Sequence, residues 1–309
     1  MKLESQREGA FFAALSYLIW GVIPIYWKLI QDVSAGEILA HRIIWSFIFM
    51  AILLLISRKW KSFVSFLKEI AQNRKIMFSL FIASALVSVN WGTFIWAVNA
   101  GKIMETSLGY YINPLVSVLL GVIVLKEKLS KQQVFAFALA GAGVLILGIY
   151  FGSIPWISLI LAVTFGLYGL AKKMIKADSA MGLTLETLMI TPFALGYIIY
   201  ILSTSGSAFF TAPHTAFLLM GGGVVTALPL LFFAKGAQKV PLSMLGILQY
   251  IGPTLSLMLS VFVYHETFTK VHLLAFIFIW SALVIYTLSI TKKRVIGSNK
   301  VKKQVSHGA

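Results

Sequence analysis

Three ionisable side chains, Glu37, His41 and Arg42, sit at the head of an otherwise apolar run, in the stretch "EILAHRIIW" at 37–45. Two kinds of chemistry suit such groups in an apolar segment. A carboxyl that passes between water and a dehydrated passage binds and releases a proton, because burial disfavours its charged form. A guanidinium carried into a span either returns its head group to the surface or finds an acceptor within the protein. Glu37 and His41 are four residues apart and share a helix face, so His41 either relays a proton to Glu37 or simply bonds to it. Arg42 lies about 140° round a helix from Glu37, so its acceptor must come from another helix. Glu105, at similar depth in a later span, is the expected partner. If the helix begins at Glu37, Arg42 sits ~7.5 Å along it. An arginine at the centre of a span costs roughly 2.5–3.5 kcal/mol on insertion scales, and less at this depth. Two readings of Arg42 stay open: it curls its head group back to the lipid surface, or it faces a protein interior or aqueous cavity, as most intramembrane charges do.

The elements that hold these groups follow from composition. The 309-residue chain is 59% apolar and 12% charged, against about 45–50% and 25% for soluble domains. Asp, Glu, Lys and Arg are absent from 9–27, 76–101, 106–125, 132–171, 187–234 and 271–291. About 20 apolar residues span the hydrocarbon core as a helix. The two longest stretches are interrupted by "YFGSIP" and "STSGSAFFTAPH" and read as two helices each. The expectation is an all-α integral membrane protein with ten transmembrane helices, near 10–29, 37–56, 76–99, 103–124, 132–150, 155–172, 182–202, 215–236, 242–264 and 271–290. The first is too long for a signal peptide and has no small-residue cleavage site before Lys28.

An even number of spans puts both termini on one face. That face carries 22 of the 26 Lys and Arg residues, the other carries Lys28, Lys102 and Lys270, and Arg42 lies within a span. The positive-inside rule makes both termini cytoplasmic, in the cell membrane. It also accounts for the +16 net charge, so nucleic acid is not an expected partner. The basic tail "KKRVIGSNKVKK" either touches anionic lipid or is a solvated anchor. The chain has no Cys, and His41, His214, His265 and His272 lack metal-ligand spacing on one helix. Neither metal nor cofactor is expected.

Residues 111–137 align without a gap to 250–276, identical at 11 of 27 positions, among them Pro114/Pro253, Ser117/Ser256, Glu127/Glu266 and Lys131/Lys270. The offset covers five helices, an odd number, so the two copies enter the membrane from opposite sides. The expected organisation is two inverted five-helix repeats, 10–151 and 152–291, between an N-terminal tail 1–9 and a C-terminal tail 292–309. Inverted repeats with a site between them are a secondary-transporter design. "AGEIL" before the second span resembles "TLETL" before the seventh, placing Glu37 opposite Glu186 as one carboxylate near each mouth. Both are candidate proton carriers. Equally, both are helix N-terminal acids favoured by the helix dipole.

Pro114 and Pro253 fall mid-helix, where each frees the carbonyl four residues earlier, on Tyr110 and Gln249. Such carbonyls are tolerated only against protein or a cavity. With Tyr111, Asn113 and Tyr250 they form a polar patch expected to line a path, although simple kinking is the competing reading. Asn90 beside Trp91, in "VNWGTFIWAVNAG", extends the patch, and "MGGGVVTALPLLFFAKG" adds glycines for close packing and a further kink at Pro229.

"YLIWGVIPIYWKL", "EILAHRIIWS", "SLGYYINPL", "GLTLETLMITP" and "LGILQYIGPTLSLMLSVFVYHE" together resemble the RarD branch of the EamA-type drug/metabolite transporters, over nearly the whole chain outside the tails. The resemblance implies ten helices in two inverted halves, a central path between them, and peripheral fifth and tenth helices. The expected function is secondary transport of a small metabolite or drug-like molecule by alternating access, as proton-coupled export. A channel or facilitator is the alternative: "INPL" is superficially similar to the Asn-Pro-Ala turns of aquaporins, but the second copy reads "IGPT". No hydrolase or metalloprotease motif argues for an enzyme, and no phosphate-binding loop supplies ATP energy.

Overall fold

The computed structural model describes residues 2–100, 102–152, 156–175, 177–204, 206–263 and 268–306. His265 and Glu266, the latter the repeat equivalent of Glu127, lie outside the described residues. Among those described, the chain forms α1 (Lys2–Lys28), α2 (Ala35–Ile56), α3 (Trp60–Gln72), α4 (Arg74–Asn99), α5 (Ile103–Ile123), α6 (Lys131–Phe151), α7 (Trp156–Met174), α8 (Ser179–Thr204), α9 (Pro213–Lys239), α10 (Leu242–Gln249), α11 (Ile251–Phe262) and α12 (Lys270–Ser306). Ten segments among the described residues are long and apolar enough to cross a membrane, with α10 and α11 together making the ninth. Large apolar side chains such as Ile149, Phe193 and Phe262 point outward, as lipid-facing residues must when lipid replaces water as solvent.

Local signals set several boundaries. The Ser34 hydroxyl accepts from the Glu37 backbone N–H and starts α2. A reciprocal capping box between Ser130 and Gln133 starts α6, satisfying two otherwise orphaned groups. Gly152, at φ 79°, ends α6 in the left-handed conformation that favours glycine.

Four features depart from expectation. The first helix begins at Lys2, so the described part of the N-terminal segment is already helical. The linker after α2 contains a 13-residue amphipathic helix, α3, whose Phe63 and Ile70 are buried while its other face is exposed. The last helix continues through the basic segment to Ser306. The two mid-helix prolines behave differently. Pro114 stays inside the continuous α5, whereas the ninth span stops at Gln249 and restarts at Ile251. Pro253 is therefore the third residue of a new helix, in the first turn, where a missing N–H costs nothing. Pro229 remains within α9.

Helices α1 and α2 pack on α9, α2 on α8, α4 and α5 on α7, α5 on α10, α1 on α11, and α6 on α12. The halves before and after Gly152 thus interlock. Helix α2 crosses α9 at backbone contact, where a Cβ at Gly223 would collide with the backbone of Trp45 and Ser46. The Ser46 hydroxyl donates to the Gly223 carbonyl at 3.0 Å. Helix α10 approaches α5 in the same manner, since a Cβ at Gly246 would lie 2.6 Å from the Pro114 carbonyl oxygen.

Backbone, not a flexible side chain, opposes residue 223, so Gly223→Val should lower the unfolding temperature of detergent-purified protein by several degrees or abolish folded protein. Overpacking of this kind costs about 1–3 kcal/mol. Gly141, with open space around its missing Cβ, serves as control: Gly141→Ala should leave the melting curve in place.

Candidate functional site

A cavity of about 270 Å³ opens between the two halves, in the part of the bundle away from the termini. Helix α1 supplies Tyr17, Trp20 and Trp27, α2 supplies Arg42, and α4 supplies Asn90, Trp91 and Phe94. Tyr110, Tyr111 and Asn113 come from α5, Phe165 from α7 and Thr226 from α9, while Gln249, Pro253 and Ser256 come from the broken ninth span.

Arg42 is held from three sides. Its Nε donates to the Thr226 hydroxyl at 3.0 Å, and its guanidinium carbon lies 4.6 Å from the Trp27 ring centroid and 5.1 Å from that of Trp91. Each cation–π contact contributes on the order of 0.5–2 kcal/mol, more as water is excluded. The glycines of α9 make this possible. Gly222 faces the Trp27 ring and the Arg42 stem, and Gly223 lets α2 close in, so Thr226 arrives at guanidinium depth. In this conformation the guanidinium turns into the bundle, toward the cavity. The expected partner is also corrected: Glu105 pairs with Lys102 at 3.4 Å, three residues before it, and does not reach Arg42.

The two asparagines brace α7. Asn90 Nδ2 donates to the Leu161 carbonyl and to the Thr164 hydroxyl, both at 2.9 Å. Asn113 Nδ2 donates to the Ala162 carbonyl at 3.1 Å. Both amide hydrogens of Asn90 and one of Asn113 are thus spent on positioning, although both side chains border the cavity.

Four anticipated path residues do not line it. Tyr250 is buried behind the wall, its hydroxyl donating to the Tyr111 carbonyl at 3.3 Å. Glu37 accepts from the Ser207 hydroxyl at 2.5 Å and from the Phe209 N–H at 3.3 Å. His41 lies 3.9 Å from Glu37 and stacks on the Phe209 ring. Together they tie the segment before α9 to the start of α2. Glu186 is 1% exposed and accepts from Lys172 Nζ at 2.7 Å and from the Tyr168 hydroxyl at 3.3 Å. Lys172, which the charge tally assigns to the face carrying the termini, is 3% exposed. It falls on the buried face of α7, where Glu186 is the counter-charge within reach.

Between the cavity and the Lys172–Glu186 pair lies an aromatic floor. Trp20 meets Phe165 at 5.6 Å, Phe165 meets Phe233 at 5.3 Å, and Phe233 stacks on Tyr168 at 5.8 Å. Beyond the floor, at the face carrying the termini, three polar ties join the halves. Glu8 pairs with Lys239 at 2.5 Å and Lys59 with Asp178 at 2.9 Å. The Glu127 carboxylate accepts from the backbone N–H groups of Leu242 and Ser243 at 2.6 and 2.9 Å and from the Ser243 hydroxyl at 2.6 Å. Sequence reasoning did not single out Thr226, Trp27, Trp20 or Lys172 for the site. The spacing "GGGVVT", which puts a hydroxyl three residues past the close contact, was the available signal for Thr226.

The EamA-like transporter family matches residues 7–149. An uncharacterized transporter, YojE, of Bacillus subtilis (strain 168) is 50% identical over 294 residues, covering 94% of this chain and 97% of its own. Protein RarD of Escherichia coli (strain K12) is 43% identical over 289 residues, covering 93% and 96%. A crystal structure of a protein with 15% identity superposes with a TM-score of 0.71 over 91% of this chain and 97% of that one, a likeness of fold alone. On the strength of the relatives, the chain belongs to the RarD branch of the EamA-like transporters, multi-pass membrane proteins of the drug/metabolite transporter superfamily.

Proposed function

We propose that the protein is a secondary transporter that exports a small metabolite or drug-like molecule across the cell membrane by alternating access, in exchange for protons. The observation that carries this reading is the cavity between the halves, shut toward the termini by the aromatic floor and the three ties. A shape closed at one end is what one state of an alternating carrier requires, and a continuous pore is not. The charge bias of 22 Lys and Arg against 3 supports cytoplasmic termini. Exchanging the halves turns the α1–α9 pairing into α7–α4 and leaves α2–α8, α5–α10 and α6–α12 each mapped onto itself. That pattern supports the two inverted repeats.

Glu37 and Glu186 are the proposed proton carriers. Each is dehydrated here and held by local donors at opposite ends of the bundle. When the terminal end opens, the donors of Glu186 part and water reaches its carboxylate, while Glu37 is released by parting of Ser207 and Phe209 at the other end. A burial-paired acid that is exposed once per cycle couples proton movement to the conformational change.

Purified protein in liposomes, tested with a metabolite panel and an imposed pH difference, is expected to move a panel member against its gradient. Glu186→Gln and Glu37→Gln should each lose the uphill component and keep downhill exchange. Uphill movement retained in both variants would mean that the carriers lie elsewhere, and equal downhill flux with no uphill component in wild type would make the protein a facilitator.

The ties give a second expectation. Partial burial pushes the Asp178 carboxyl up, but the hydrogen bond from Lys59, those from the Met181 and Ala180 N–H groups, and the Lys59 charge hold it below the usual carboxylate value. Its contribution to the closed end is therefore complete at neutral pH and disappears as pH falls through that lowered value, below about 4. At neutral pH, Glu8→Gln with Asp178→Asn should populate the state open at the terminal face. Ser16→Cys, buried and on the terminal side of Trp20, would then react with a thiol reagent several-fold faster than in the otherwise unaltered chain. Unchanged reactivity would show that the ties do not hold that end shut.

A further inference from the structure

We infer that the transported molecule is an organic anion, a carboxylate or similarly planar oxyanion on a small apolar ring-bearing body, and that it carries no ammonium group. The inference rests on the transporter reading above and is drawn from the charge balance of the cavity. Among the described lining residues Arg42 is the one ionised side chain, and no carboxylate borders the space. The acids nearby face other partners: Glu37 meets Ser207 and Phe209, Glu186 meets Lys172, and the half-buried Glu105 meets Lys102 through Oε1 while its Oε2 has no hydrogen-bond partner. Arg42 is thus a cation at a low-dielectric surface without a protein counter-ion.

The geometry of its donors points the same way. A guanidinium has five N–H groups in a rigid fork. Only Nε is used, by Thr226, and among the described residues no acceptor meets the four hydrogens on Nη1 and Nη2. The guanidinium carbon lies over the rings of Trp27 and Trp91, neighbours that hold the cation by its charge and leave the Nη hydrogens for a conventional acceptor. An edge with paired parallel donors matches a carboxylate in the bidentate arrangement. Thr226 and the two indoles act as positioning residues that hold the fork before an anion arrives.

The rest of the wall sets the body of the molecule. Trp20, Phe94, Tyr111 and Phe165 are aromatic, and about 270 Å³ is at the small end of ligand pockets, which begin near 300 Å³. A single ring with a short acidic chain fits these limits. An ammonium would find no acid to neutralise it beside an arginine already present, so amines and zwitterions are disfavoured by both repulsion and desolvation.

The test uses four probes that share one skeleton: 3-phenylpropanoate, 3-phenylpropanamide, phenylalanine and 3-phenylpropylamine. Their binding to the purified full chain is read by quenching of tryptophan fluorescence, since three indoles border the cavity. The carboxylate is expected to bind at least tenfold more tightly than each of the other three. Arg42→Lys, which keeps the charge but not the fork, should weaken it about tenfold, and Arg42→Gln should abolish the preference for the carboxylate over the amide. Thr226→Val should weaken it a few-fold with an unchanged melting temperature, which separates loss of positioning from loss of fold. Equal affinity for carboxylate and amide, preference for the amine, or no binding of the carboxylate overturns the inference. Counterflow of the same probes in liposomes tests the transporter reading separately. Selective carboxylate binding without flux would break that reading and leave this one standing, while flux of the amide or amine without carboxylate preference would do the reverse.

Discussion

The bundle depends on one backbone contact, α2 against α9 at Gly223. Helices in lipid gain nothing from hiding apolar surface from water, so they associate through close van der Waals packing and hydrogen bonds between helices. With no Cβ at 223, the Trp45–Ser46 backbone comes into contact and the Ser46 hydroxyl reaches the Gly223 carbonyl. About one turn further along α9, Thr226 then stands at the Arg42 Nε. The adjacent Gly222 admits the Trp27 ring. The arginine is tolerable inside the membrane because that crossing brings a hydroxyl and two indoles to it. A wider crossing would leave a guanidinium facing hydrocarbon.

Polar groups are divided between two tasks. Asn90 and Asn113 donate to backbone carbonyls of α7, Ser84 to one of α8 and Tyr250 to one of α5, holding these helices in place. Glu37, Glu186 and Glu127 are satisfied by N–H or O–H groups, or by a lysine, within the protein. Arg42 alone among the described ionised residues at the cavity retains donors without a protein acceptor. Unpaired polar atoms are costly in a medium without water, so the unused guanidinium donors at the cavity favour a bound acceptor.

The spans were legible because a charge-free stretch of membrane length is hard to reconcile with a water-exposed surface, and their ends agree with the helices to within a few residues for most. The exceptions have physical causes. Trp60, Phe63, Leu67 and Ile70 recur at helical spacing in a charged linker, so α3 was visible as an amphipathic pattern but too short to register as a span. Pro114 and Pro253 occupy equivalent positions in the two copies, yet only one copy interrupts its helix, which local sequence does not decide. Matching depth along two helices pointed to Glu105 as the partner of Arg42, but depth says nothing about which helices touch. Glu186 reads as a residue at a mouth, whereas α7 carries Lys172 into the interior beside it. Partnerships between helices, rather than the helices themselves, were the unreadable part.

The unequal treatment of the two prolines has an energetic consequence for a carrier built from related halves. If both halves were mechanically identical, exchanging their roles would convert one facing state into the other at no cost, and the empty protein would populate both equally. Here α5 is a single rod, while its counterpart is two short rods joined at Tyr250. Bending the jointed copy and bending the rigid copy require different work, so the degeneracy is lifted. For the alternating carrier proposed above, the unloaded protein would then rest preferentially in one orientation before any gradient is applied.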